Sequence, residues 1–167
     1  MADAVFIILL VLHVGAVMAW MGGAALFVSV IMPSLSKISP SSRGEFIQSA
    51  LPRYIRFSAG SAVLAIIAGL ALYGYATQAG PPLAPSSQGA PYIQAGAILG
   101  LIVLVIALGV LVPAGRKFVA LTKQPLTPQD PKASEIAGLQ KRMGIAARLG
   151  LALLGITLIL MIVGASL

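Results

Sequence analysis

Cysteine is absent from the 167 residues, which excludes disulfides, thiolate metal sites, iron–sulfur clusters and c-type haem attachment. Histidine occurs once, at His13, so neither a His-only multidentate metal site nor bis-histidine haem can form within one chain. Charged residues make up only 9% of the sequence, against about 25% in soluble domains, and a soluble globular fold is excluded. Disorder is excluded too, because 59% of the residues are hydrophobic and disordered chains are poor in apolar side chains. Only four residues are acidic, and none lies in a long apolar stretch, which leaves no carboxylate pair for a proton pump or a di-metal centre. The sequence also lacks a Gly-rich phosphate loop, a nucleophile elbow, an HExxH motif and a filter-like segment. Hydrolases, ATPases and cation channels drop out with them.

What the chain does have is apolar length, with a mean hydropathy of +1.00. A bilayer core about 30 Å thick takes roughly 20 apolar residues per helix. Four stretches qualify, at about 4–32, 57–76, 92–112 and 144–166. They predict an all-α, integral membrane four-helix bundle in a single domain. The first stretch has no basic segment before it and is longer than a signal-peptide core, so it is expected to be retained as a span.

The basic residues set the expected orientation. Lys37, Arg43, Arg53 and Arg56 lie between or at the edges of the first two spans. Arg116, Lys117, Lys123, Lys132, Lys141, Arg142 and Arg148 do the same for the last two. The 77–91 connection carries no charge. By the positive-inside rule, loops 33–56 and 113–143 are cytoplasmic, loop 77–91 is outside, and both termini are outside. The expected location is the cell membrane. The net charge of +7 is therefore a topology signal, with anionic lipid heads as its partners and no role in nucleic-acid binding.

Pro33 and Pro113 each close an apolar span and are expected to end or kink it. Residues 41–51 suggest a short interfacial helix, and 132–142 either another or an inward extension of span four. Segments 1–76 and 92–167 follow the same out–in–out course, which hints at a parallel duplication. Small residues recur at four-residue spacing: Gly15, Ala19 and Gly23; Ala65 and Gly69; Gly96 and Gly100; Ala146 and Gly150. In lipid, such positions let helix backbones approach closely, within the bundle or in a homo-oligomer.

Few residues can carry chemistry. His13 lies about a third of the way along span one, where an imidazole must face protein, water or a ligand. Trp20 is two turns further on the same face, and Phe27 continues the stripe. His13 is either an axial ligand of haem, a metal ligand or a quinone contact roofed by Trp20, or a side chain that makes one hydrogen bond across the bundle. Arg56, at the mouth of span two, and Arg148, about a turn inside span four, suit propionate, quinone or anion binding, or else snorkel to lipid phosphates. Among the methionines, Met21 is nearest the His13 face and is the best thioether candidate for copper or haem iron. Its alternative is apolar packing.

The stretch Leu12–Phe27, LHVGAVMAWMGGAALF, resembles the first helix of CopD-type membrane proteins through His13, Trp20, Gly22, Gly23 and Phe27. The stretch Arg53–Tyr73, RYIRFSAGSAVLAIIAGLALY, is similar to the next part of that family through Arg53, Arg56, Phe57, Ser58 and Gly69. The resemblance covers about residues 5–75. HemJ-type, haem-linked membrane proteins share the His-x6-Trp opening. The resemblance implies a redox or metal-handling role, with haem b or copper held by His13 and Trp20 packed on the cofactor. Met21 would be a second metal contact, and Arg56 and Arg148 would meet carboxylates. Two alternatives stand beside it. One is a cofactor-free accessory subunit of a larger respiratory or oxidase membrane complex; the other is a small transporter.

Overall fold

The computed structural model describes residues 3–123 and 131–167, all helix and connecting turns. Residues 124–130, part of the expected 113–143 loop, lie outside the described residues. Four helices are long and apolar enough to cross a membrane: α1 (Ala4–Leu35), α2 (Pro40–Ala79), α3 (Ala90–Thr122) and α4 (Pro131–Ser166). The chain is thus a multi-pass membrane protein. Both described termini and the 80–89 connection lie at one end of the bundle, and the basic residues gather at the other.

Local chemistry sets the helix ends. Asp3 caps α1, its Oδ1 accepting from the Val5 and Phe6 amides at 3.0 and 3.2 Å. Ser39 caps α2, accepting from the Ser42 amide, with Pro40 in the first turn, where a missing N–H costs nothing. Arg43 closes the turn between α1 and α2 by donating to the carbonyls of Leu35, Ser36 and Ile38. Gly80 ends α2 at φ 72°, a left-handed conformation that favours glycine.

The expected separate interfacial helix at 41–51 is corrected. This segment is the first part of the 40-residue α2, which runs on through Pro52. Ile47 and Leu51 are buried with Phe118 and Val119 of α3, and Tyr54, Ile55, Leu139 and Met143 pack on that cluster. The segment is thus packed on α3 and α4 as part of α2. Residues 132–142 are likewise the extension of α4.

Neither Pro33 nor Pro113 ends its helix. Each follows a five-residue π turn, Phe27–Ile31 and Ala107–Leu111, in which the Met32 and Val112 amides reach back five residues to the Phe27 and Ala107 carbonyls. A proline ring collides with the carbonyl four residues before it. The wider π turn relieves that collision and lets the helix continue.

The two π turns begin 80 residues apart, and the packing repeats with them. His13 of α1 lies against Gly69 of α2; Ile93, 80 positions later, lies against Gly164, 95 positions after Gly69. Ala16 shares a core with Ala62, and their counterparts Gly96 and Thr157 are in contact. Hairpins α1–α2 and α3–α4 are therefore two copies of one arrangement, joined mainly through α2 with α3 and more loosely through α1 with α4.

Small residues make the contacts between helices. The central core holds Ala16, Ala62, Ala65 and Ala107 beside Trp20, Val103 and Leu154. Gly96, Gly100 and Gly150 are buried at helix crossings, whereas Gly15 faces outward with open space around it. Large apolar side chains such as Val11, Met18, Ile67, Val105 and Ile159 are exposed on the outside. In lipid, apolar surface gains little from being hidden, and close backbone packing holds the helices together.

Candidate functional site

The site begins with an asymmetry between the two hairpins. Trp20 and Phe27 of α1 correspond, 80 residues on, to Gly100 and Ala107 of α3. Trp20, Phe27 and Ala107 all border one space, so where α1 carries rings, α3 contributes only a methyl group at Ala107. A cavity of about 150 Å³ remains in the basic-end half of the bundle, with all four helices in its wall.

Trp20 is 4% exposed and forms the innermost aromatic wall. Phe27, in the first π turn, stacks on Tyr54 of α2 with ring centroids 4.2 Å apart and planes 8° from parallel. This pair makes a second wall that joins α1 to α2. Ser58 lies one turn beyond Tyr54 on the same face and also lines the cavity. Ala107, Gly150 and Leu154 close the opposite side. Every lining residue is buried or half-buried except Arg148 of α4, which is exposed. Arg148 is in the first turns of the apolar part of α4, at the level where an arginine reaches the headgroups. It has no hydrogen bond or ion pair with any described residue.

Trp20 and Arg148 bring N–H donors, Tyr54 and Ser58 bring hydroxyls that both donate and accept and are hydrogen-bonded to each other, and no carboxylate lines the cavity. A smaller cavity of about 70 Å³ shares Phe27, Met32 and Leu51 with it and extends toward Arg43 and Gln140.

His13 lies elsewhere. Its Nδ1–H donates to the Ala65 carbonyl oxygen at 2.8 Å; the carbonyl can only accept, so the proton of this bond sits on Nδ1. The half-buried ring fills the notch left by Gly69 and lines neither cavity described here. Met21 packs against the central core beside Trp20 and also does not line the cavity. Arg56 is exposed, its Nε–H turned back to the Pro52 carbonyl at 3.4 Å. Of the residues singled out in the sequence, the structure brings Trp20 and Arg148 to one cavity and leaves His13, Met21 and Arg56 outside it.

Tyr54 was not anticipated. Its only sequence signal is an aromatic between two arginines at the mouth of an apolar span, which also describes an interfacial anchor.

The fit to the cofactors implied by the family resemblance follows from size and donors. Sites for drug- or cofactor-sized ligands hold roughly 300–1,000 Å³, and this cavity is smaller and lacks an imidazole. It does not fit a porphyrin. No group of three or more His, Cys, Asp or Glu side chains placed to hold a metal ion occurs among the described residues. No protein family, curated protein or solved structure matches this chain.

Proposed function

We propose that this protein binds one lipid-soluble ring compound, taken from the leaflet at its basic end into the central cavity, in a binding or redox-handling role. The observation that carries this reading is a single one. A cavity walled by all four helices has one exposed residue in its lining, and that residue is an arginine with no hydrogen bond or ion pair to any described residue. A cavity of about 150 Å³ lined by apolar side chains accommodates one benzene-sized group. Small-ligand sites typically combine such an apolar wall with a few placed polar groups, here Trp20, Tyr54, Ser58 and Arg148.

The test is purification in polymer-bounded native bilayer discs, followed by organic extraction and mass spectrometry. The expected result is one ring-bearing compound near one copy per chain, depleted when the cavity is filled by Ala107→Phe. Extracts that match the surrounding membrane, in both wild type and variant, would sink the proposal.

A second reading is favoured by a separate observation. An Nδ1–H bond to a backbone carbonyl is the arrangement that presents Nε2 of a metal-binding histidine, and His13 has it. Haem b or copper at His13 would then sit at an interface, with its other axial ligand from a second copy or a partner subunit. A Soret band or bound copper that is lost in His13→Ala supports this reading. A colourless, metal-free protein that co-purifies with other membrane subunits supports an accessory role.

A further inference from the structure

We infer that the ring compound is an isoprenoid quinone, held with a ring carbonyl toward Arg148 and its tail left in the bilayer. The inference rests on the cavity reading above and narrows it to a ligand class. Size comes first: about 150 Å³ takes one six-membered ring and leaves no room for a long tail, which must pass out of the bundle. Arg148 is the one exposed lining residue, and an exit assigned to its side delivers the tail to the bilayer, where it is already solvated.

Shape comes second. The rings of Trp20, Phe27 and Tyr54 line the space, with Phe27 and Tyr54 already fixed face to face. Flat walls of this kind suit a flat partner; an acyl chain gains nothing from them.

Charge and hydrogen bonding come third. Ser58 donates to the Tyr54 hydroxyl oxygen, which leaves the Tyr54 O–H, Trp20 and Arg148 as donors, and no carboxylate lines the cavity, so a ligand cation finds no counter-charge and ligand acceptors find partners. A benzoquinone ring has two opposed carbonyl acceptors and no obligatory donor. Arg148 lines the cavity from α4, and the Tyr54–Ser58 pair lines it from α2, so the two carbonyls can be met from different helices.

The chain reports on its own cavity, because Trp20 is its single tryptophan. Ubiquinone-1 titrated into the full chain in phosphatidylcholine nanodiscs should quench Trp20 fluorescence saturably. Arg148→Gln should raise the half-saturating concentration roughly tenfold, in line with loss of a hydrogen bond from a charged donor. Arg116→Gln, which removes an exposed charge away from the cavity, should not move it, and Ala107→Phe should abolish saturation. Pentylbenzene, with a ring and a tail but no acceptor oxygen, tests the cavity alone through a rise in thermal midpoint. If pentylbenzene stabilises the wild type and not Ala107→Phe while ubiquinone-1 quenches only linearly, the quinone inference fails and the cavity reading survives. If neither compound acts, both fail. Equal displacement of ubiquinone-1 by oleate would mark the ligand as an acyl chain and also overturn the inference.

Discussion

The imidazole of His13 occupies the space that a side chain at Gly69 would need: a Cβ built there would stand 2.7 Å from Cε1 and 2.8 Å from Nδ1 of the ring. The same ring donates to Ala65, one turn earlier on α2. Gly69 is thus the socket and Ala65 the latch of a single α1–α2 contact. Gly69→Ala should push the ring off its bond and lower stability by about 1–3 kcal/mol, the usual cost of overpacking a close contact. The readout is the denaturant or thermal midpoint in detergent. His13→Ala combined with Gly69→Ala should recover part of the loss, because the methyl then has room. A Gly69→Ala protein as stable as wild type would show that the ring is not confined there.

The cavity makes the opposite prediction for Ala107. This residue is 8% exposed and is the structural counterpart of Phe27. Core overpacking normally costs 1–3 kcal/mol, but here the added ring enters existing space. Ala107→Phe should therefore leave the thermal midpoint unchanged or raise it while removing ligand binding. A clear fall in midpoint would mean that the space is not available to a side chain.

The architecture was legible in the sequence because lipid imposes it: long apolar runs, a charge-free connection and basic flanks leave few alternatives to four spanning helices. The helix crossings were partly legible for the same reason, since Ala65, Gly69, Gly96, Gly100 and Gly150 do sit at close contacts. The site was harder to read. His13 and Trp20 share a helix face by spacing, yet His13 turns to Ala65 and Trp20 to the cavity, because the facing surface differs at the two levels. Gly69 offers a notch at one, and the short side chain of Ala107 borders a void at the other. That difference comes from comparing the two hairpins at offsets of 80 and 95 residues, and no local pattern in either hairpin carries it. The continuity of α2 through Pro52 was hidden likewise, since it depends on Phe118 and Val119 more than 60 residues away.

Asp3 gives a pH-dependent prediction at the terminal end of the bundle. Its Oδ2 accepts from the Tyr75 hydroxyl at 2.7 Å, and its Oδ1 caps α1. The Tyr75 bond, followed by the amide bonds, holds the carboxyl below its usual value of 3.8. A carboxylate favoured in the folded state stabilises fully above its unfolded pKa and loses that contribution as pH falls through the lower folded value. Asp3→Asn should therefore lower the thermal midpoint at pH 7. The gap between variant and wild type should close only below about pH 3.8. A gap that persists unchanged under acid would assign the effect to something other than the carboxylate.

The absence of cysteine gives a clean background for testing orientation. Gln88 is exposed in the connection between α2 and α3, and Lys123 is exposed at the opposite end of α3. The positive-inside rule places the basic end in the cytoplasm. With single cysteines introduced one at a time, a membrane-impermeant maleimide on intact cells should label Gln88→Cys and spare Lys123→Cys until the cells are lysed. The reverse pattern would invert the bundle and put Arg148, with the entry proposed beside it, in the outer leaflet. The two outcomes also assign the ligand's source. Entry beside Arg148 draws from the leaflet in which that residue lies, so the labelling result fixes which lipid pool supplies the ring compound.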